Sequence, residues 1–361
     1  MAHPDVNERK KVLICPLDWG LGHATRIFPI IRELIRRKCE VAVATSGPAL
    51  ALLKKEFPDL HYYRIAGYEP SYPDSGSLVW SMALQLPKFV RTIQIEHEEI
   101  ESIVWQDGID VVISDNRYGC WSRKVPCVMI THQLNIQAPR LLSGVVNFFH
   151  RLQIRKFSMC WVPDWEGKES LAGDLSVSDG LAVQYIGPLS RFRDTNTTED
   201  IGRGAKKYEI LALVSGPEPQ RRIFERLLRD QLKKSGRRAL LVCGLPEVDK
   251  RKTEGLLEEV SHIPSVELNR AILESEIVIS RPGYSTIMDL AALGRKAIFI
   301  PTPGQTEQEY LGNKLMEKRI ALCVGQDTFD LRLALKESLY YTGFGTFRSD
   351  HLLEKALDTL L

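Results

Sequence analysis

The chain has 361 residues, too many for one ordinary core and about right for two domains of roughly 100–200 residues each. An apolar fraction of 44% and a charged fraction of 26% are those of a globular protein, and a net charge of +2 sets up no global field for nucleic acid. The seven cysteines are scattered, odd in number and without a C-x-x-C pair, so reduced buried thiols are expected in place of a disulfide framework or zinc site.

Residues 1–11 are polar and run straight into a strand, which is no signal peptide, and no apolar stretch approaches the ~20 residues of a membrane span. The expected location is cytoplasmic. Short β-branched runs alternate with amphipathic helical stretches from end to end, the pattern of parallel sheets covered by helices. In the first half strands are expected at 11–17, 40–45, 110–114, 126–131, 160–162 and 182–186, with helices over 23–37, 48–57 and 84–106. Residues 191–207, rich in Asp, Thr, Asn and Gly, read as a linker between domains spanning 1–190 and 208–361. The alternation then restarts. Strands are expected at 209–214, 239–243, 277–280 and 297–301, and helices over 219–234, 285–293, 306–318 and the C-terminal tail, which could pack back on the first domain. The fold class is therefore α/β, two Rossmann-like domains facing a cleft lined by the carboxyl ends of both sheets.

The loop after the first strand, Leu17-Asp18-Trp19-Gly20-Leu21-Gly22-His23-Ala24-Thr25-Arg26, is half a dinucleotide fingerprint. Thr25 occupies the place of the third glycine and the second strand ends in Thr45-Ser46 with no acid for a ribose, so NAD is disfavoured. His23 sits at the mouth of the helix, where an imidazole of unperturbed pKa near ~6.5 can take a proton from an attacking hydroxyl. The plainer reading is a histidine that caps the helix. Asp115 ends another strand on the same side, where it either fixes the tautomer of His23 or caps the next helix. His132, after the following strand, is a further cleft candidate, more a structural hydrogen-bonder or acceptor contact than the base.

Ser280-Arg281-Pro282-Gly283-Tyr284-Ser285-Thr286-Ile287-Met288-Asp289 reads as strand, turn and helix start. Backbone N–H groups and two hydroxyls at a helix N-terminus favour a diphosphate, and Asp289, about one turn further in, could reach a ribose diol. Ser215 and Gly216 lie on a second loop of this kind. Gln305, Thr306, Glu307, Gln308 and Glu309 form a third polar cluster whose amides and carboxylates suit sugar hydroxyls. For each loop alone, turn chemistry and helix capping is the competing account.

These residues resemble the GT-B glycosyltransferases, particularly family 28 and the lipid-intermediate N-acetylglucosaminyltransferases of peptidoglycan synthesis, and less closely the UDP-glycosyltransferases. The resemblance implies that Arg281, Gly283 and Asp289 hold the nucleotide, with Tyr284, Ser285 and Thr286 at the diphosphate. It also implies that Gln308 and Glu309, with Glu307 close by, contact the donor sugar, and that Ser215-Gly216 is a second phosphate loop. Gly22 matches the loop before the first helix, His23 the catalytic base and Asp115 its orienting acid. The Ala24-Thr25-Arg26 stretch departs from the peptidoglycan enzyme's pattern and gives, with Gly22 and His23, the G-H-x-x-R of a GT-B-like UDP-sugar hydrolase.

The expected activity is hexosyl transfer from a UDP-sugar to a hydroxyl acceptor, with inversion. No Asp-x-Asp motif and no metal-spaced cluster occurs, so neither metal nor cofactor is expected. The alternatives are a UDP-sugar hydrolase or 2-epimerase, and a nucleotide-sugar-binding protein without chemistry. Acceptor contacts are expected in the Tyr-, Ser- and Pro-rich stretch 68–86. Residues 140–156 combine Val145, Phe148, Phe149 and Leu152 with Arg140, Arg151, Arg155 and Lys156. The favoured reading is a core helix with a solvated basic edge, the other a peripheral membrane contact.

Overall fold

Strands that read as near-continuous apolar runs need cover on both faces, and the computed structural model supplies it. It describes residues 9–68, 85–137, 140–193, 206–345 and 351–361. Most of the expected linker and of the expected acceptor stretch lies outside these residues.

The first sheet contains β1 (Lys11–Pro16), β2 (Glu40–Thr45), β3 (His61–Arg64), β4 (Val111–Asp115), β5 (Cys127–Ile130), β6 (Met159–Val162) and β7 (Gln184–Tyr185). Its order is β3-β2-β1-β4-β5-β6-β7, parallel throughout. Around it lie α1 (Leu21–Arg26), α2 (Phe28–Arg36), α3 (Gly47–Glu56), α4 (Leu86–Asp107) and α5 (Arg140–Ile154). The second sheet contains β8 (Tyr208–Leu213), β9 (Ala239–Val242), β10 (Arg251–Glu254), β11 (Leu257–Val260), β12 (Ser275–Ser280), β13 (Ala297–Phe299) and β14 (Leu322–Cys323). Its order is β10-β11-β9-β8-β12-β13-β14, parallel except for the β10/β11 pair. Its helices are α6 (Gln220–Ser235), α7 (Ser265–Leu273), α8 (Tyr284–Ala292), α9 (Thr306–Glu317), α10 (Leu331–Glu337) and α11 (Leu352–Leu360).

Strand order reverses between β1 and β4 in one sheet and between β8 and β12 in the other. At such a reversal the loops leaving the carboxyl ends diverge to opposite faces and open a crevice. The loop of His23, the end of strand β4 at Asp115, the Ser215-Gly216 loop and the Gly283 turn all leave from those two points.

Several elements differ from the sequence reading. The single helix expected over 23–37 breaks at Ile27 into α1 and α2. Pro29 has no N–H to donate, and its ring would meet the carbonyl of Thr25 in an unbroken helix. The β10/β11 hairpin was missed because β10 is exposed along its whole length and carries no apolar signal. Strand β3 is likewise a short edge strand with little buried surface.

The two sheets are joined by a polar seam. Ser190 donates to Asp289 at 2.8 Å, and Arg191 donates to the same carboxylate through its backbone N–H at 3.2 Å and Nε at 2.8 Å. Tyr284 reaches from α8 to the carbonyl of Pro163 at 2.9 Å, Thr306 to that of Gln137 at 3.0 Å, and Tyr310 accepts from the N–H of Asp174 at 2.9 Å. The last helix, α11, crosses back to the first sheet's helices. Arg37 pairs with Asp358 at 2.6 Å and donates to the carbonyl of Glu354, over the buried Leu353 and Leu357.

Both oxygens of Asp289 thus accept within the seam, Oδ1 twice and Oδ2 once, which gives the carboxylate a structural role in joining the two sheets. Replacing Asp289 by Ala strips the half-buried Arg191 of its partner, a change that costs about 3 kcal/mol in comparable buried pairs. The variant is expected to melt several degrees below the wild type. An unchanged melting point together with weakened UDP affinity, read by calorimetry, would return the carboxylate to the ribose role.

Candidate active site

Asp115 is the last residue of β4, paired with Pro16 on one side and Ile130 on the other. The chain can turn sharply after it because Asn116 takes a left-handed conformation, φ 57°, which Asn tolerates better than most residues. On the neighbouring loop Gly20 has φ 85° and starts α1, which carries His23 back over the sheet edge. His23 Nδ1 lies 3.0 Å from Asp115 Oδ2. The Nδ1–H therefore donates to the carboxylate, and Nε2 is left with its lone pair free.

Asp115 is fully enclosed, and a buried carboxylate needs a counter-charge. Arg26, three residues after His23 on the same helical face, provides it. Its Nε lies 2.9 Å from both carboxylate oxygens, and its NH2 also donates to Oδ1. The guanidinium continues to His132, with NH1 3.2 Å from Nδ1. An Arg nitrogen can only donate, so His132 carries its proton on Nε2 and gives it to Glu307 Oε1 at 2.8 Å. One chain of charges, His23–Asp115–Arg26–His132–Glu307, thus crosses from the first sheet to α9. Tyr284 stacks flat on His132, centroids 4.1 Å apart, and closes it off.

The electrostatics follow. Burial lowers the His23 pKa below its ordinary 6.5, and the nearby Arg26 charge lowers it further, against the raising effect of Asp115. Burial would raise the Asp115 carboxyl, but Arg26 and then His23 outweigh it and hold the pKa below the usual aspartate value. At neutral pH the arrangement is a neutral imidazole on an ionised carboxylate, able to accept one proton at Nε2.

Across the seam, the N-terminus of α8 lies against this loop. Ser285 donates to the carbonyl of Gly22 at 2.8 Å, and a side chain at Gly22 would place its Cβ only 3.2 Å from that hydroxyl. The site needs glycine there for close approach. Gly283, by contrast, faces open space, and Ser285 and Thr286 are half-buried beside it. Gly216 has φ 110° and is exposed, with Ser215 half-buried before it. These five residues are brought to the carboxyl end of the second sheet, and Ser285 among them touches the His23 loop.

The structure uses the remaining expected donor residues differently. Arg281 is buried over the Phe224 ring, 3.9 Å from its centroid, and donates to the carbonyls of Ile300 at 2.9 Å and Pro301 at 2.8 Å and to Gln326. With no carboxylate partner among the described residues, burial pushes its pKa down to about 9. It braces the loop after β13 from below. Tyr284 is buried in the seam. Gln305 caps α9 by accepting from the N–H of Gln308 at 2.6 Å. Gln308 accepts from the N–H of Thr302 at 2.8 Å, and Glu309 from that of Gly304 at 2.9 Å. Glu307 is held by His132 and Thr306 by Gln137, so capping and loop bracing account for this cluster better than sugar contacts do.

Reading the sequence missed the roles of Arg26, Ser190 and Arg191. Arg26 carried a usable signal, its i, i+3 spacing from His23. A buried ion pair, Arg117 Nε to Glu96 at 2.6 Å, stiffens the loop just past Asp115 and had no sequence signal, because its partners are 21 residues apart. Trp19 packs against Tyr68 and Phe89 beside the His23 loop, centroids 6.0 and 5.6 Å away. Among the described residues no three His, Cys, Asp or Glu side chains are grouped to hold a metal ion, and no helix is long and apolar enough to cross a membrane.

Residues 220–340 match the glycosyltransferase family 28 C-terminal domain. Over 323 residues, 83% of this chain and 81% of its relative, the sequence is 25% identical to a glycosyltransferase of Methanosarcina mazei. Among solved structures, MurG of Acinetobacter baumannii superposes with a TM-score of 0.57 at 13% identity, covering 98% of this chain and 99% of that one. The spinosyn rhamnosyltransferase SpnG, complexed with thymidine diphosphate, gives a TM-score of 0.61 at 14% identity, covering 97% and 95%. The paired parallel-sheet domains described above are thus those of the GT-B fold, and residues 220–340 carry a glycosyltransferase family 28 C-terminal domain.

Proposed function

We propose that the protein moves a hexosyl group from a UDP-sugar to a hydroxyl acceptor in one inverting displacement, without a metal ion. The observation that carries this reading is the 3.0 Å bond from His23 to Asp115, which leaves a neutral Nε2 on the helix that touches Ser285 of α8 through Gly22. The acceptor oxygen attacks the anomeric carbon as Nε2 takes its proton, and the bond from that carbon to the diphosphate breaks on the opposite face. Asp115, hydrogen-bonded at Nδ1, stabilises the imidazolium that forms without taking its proton. The departing diphosphate is stabilised by the N–H groups at the start of α8, with Ser285 and Thr286, and by the Ser215-Gly216 loop. That the related rhamnosyltransferase was captured with a nucleoside diphosphate supports a donor of this class.

Replacing His23 by Ala is expected to lower turnover by ~10²–10⁴-fold, the usual contribution of a positioned base, and to leave UDP affinity unchanged. A near-wild-type rate would remove His23 from the chemistry. Since its pKa is depressed, the imidazole is already neutral at pH 7; kcat/KM should be level there and fall only below pH 6.5, as the base becomes protonated. A rate still climbing above pH 7 would assign the base to another group.

Arg26 acts on this base through Asp115 and is a positioning residue. In Arg26→Gln the neighbouring positive charge is gone, so the acid limb of the pH–rate profile should move upward. A lower rate with the limb unmoved would make Arg26 a merely structural brace. The place of Arg26 beside His23 also favours a second reading, in which water replaces the acceptor. Incubating the enzyme with UDP-sugars alone discriminates: rapid release of UDP and free sugar supports hydrolysis, and an intact donor supports transfer.

A further inference from the structure

Helix α5 is built inside out. Its inward side carries the polar Asn147 and His150, with only Ile154, at its end, reaching the core among the helix's described side chains. Asn147 accepts from the N–H of Ile136 at 2.7 Å and donates back to its carbonyl at 3.1 Å. His150, buried, donates to the carbonyl of Gln133 at 2.7 Å and accepts from Tyr118 at 2.8 Å. These bonds pin the loop that follows His132. The apolar residues, spaced i, i+3, i+4 and i+7, point the other way: Val145 is 57% exposed, Phe148 60%, Phe149 58% and Leu152 39%. The favoured expectation of a core helix is therefore overturned. The polar bonds to the 133–136 loop fix the helix rotation, and the apolar stripe is left in solvent.

A soluble surface rarely presents two phenylalanines, a valine and a leucine on one contiguous stripe without a use for it. The charge around this stripe says what fits. Residues 140–156 contain Arg140, Arg151, Arg155 and Lys156 and no acidic residue, in a chain whose net charge is only +2. Arg155 and Lys156 are exposed at the end of the helix, and among the described residues Arg151 meets the exposed Asp179, at 3.0 Å, and Asn135. A cavity of about 580 Å3 opens alongside, lined by Phe148, Leu152, Arg151 and Arg155 together with Asn135 and Gln137. Apolar side chains that reach past a ring of guanidinium and ammonium groups suit one environment, the boundary between anionic headgroups and acyl chains.

We infer that the outer face of α5 docks the protein on an anionic lipid bilayer, with Phe148 and Phe149 inserted at the acyl boundary and Arg151, Arg155 and Lys156 among the headgroups. This docking is independent of the reaction proposed above. By topology α5 starts from the carboxyl edge of the first sheet, the edge that carries His23 and Asp115, so a docked bilayer lies beside the mouth of the cleft.

The test is co-sedimentation of the full chain with vesicles of phosphatidylglycerol mixed with phosphatidylcholine, against phosphatidylcholine alone, with no donor or acceptor present. The wild type is expected to pellet with the anionic vesicles, and less so as salt is raised. The double variant Phe148→Ser, Phe149→Ser and the single variant Arg155→Glu should each lower partitioning by roughly tenfold or more. Because these side chains are exposed, the melting temperature should not fall; light scattering reads the oligomeric state in parallel. A wild type that stays in the supernatant, or serine and glutamate variants that bind as well as it does, would overturn the proposal. So would a dimer in solution that the double variant converts to monomer, since a second copy of the chain would then be what covers the stripe.

Discussion

The buried carboxylate of Asp115 is the constraint on which the site depends. An ionised carboxylate with no access to water is tolerated only if its oxygens are filled by donors and its charge is matched. Arg26 and His23 do both, and they do it from one short helix. Holding that helix in place is therefore also what orients the imidazole. The match is not symmetrical, because Arg26 is permanently charged and His23 is not. Burial already disfavours the charged imidazole, and with the carboxylate matched by Arg26, protonating His23 gains less than it would beside a lone aspartate, so its pKa falls. The same neighbour that makes burial of Asp115 possible helps keep the imidazole neutral.

The chain of contacts does not stop inside the first domain. Arg26 fixes the tautomer of His132, whose other nitrogen is held by Glu307 on α9 of the second domain. Ser285 meets Gly22, the residue immediately before His23. The geometry of the imidazole and the apposition of the two sheets are thus set by overlapping hydrogen bonds. A change in how the domains sit would be felt at His132 and Arg26 before it reached His23.

Much of this was legible in the sequence because it follows from topology. Parallel strands put their carboxyl ends on one side, so His23 and Asp115 could be placed together from the strand pattern, as could the Gly283 turn opposite them. What was not legible depends on partners far apart in the chain. Asp289 reads as an acid one turn into a helix, a place suited to a ribose; its partner Ser190 lies 99 residues earlier. Arg281 reads as a phosphate ligand beside a glycine turn, yet its guanidinium turns back over Phe224. Gln308 and Glu309 read as sugar contacts, but donors were already at hand in their own loop, and local capping won. Polar residues at a strand end announce that something polar is there without saying whether the partner is a ligand or the protein.

Helix α5 shows the opposite error and ties the two halves of the molecule's surface to its site. Amphipathic periodicity gives the rotation of a helix only if the apolar side is assumed to face inward. Here the loop carrying His132 needs its backbone groups satisfied, and Asn147 and His150 satisfy them from α5. Turning the helix to bury Phe148 and Phe149 would break those bonds and leave the carbonyl of Gln133 and both backbone groups of Ile136 without these partners, a loss of about 1–3 kcal/mol for each that stayed buried. The exposed apolar stripe is thus a consequence of how the His132 loop is held. Any surface that covers the stripe rests on the helix that holds the loop after His132, and with it the hydrogen-bond chain from His23 to Glu307.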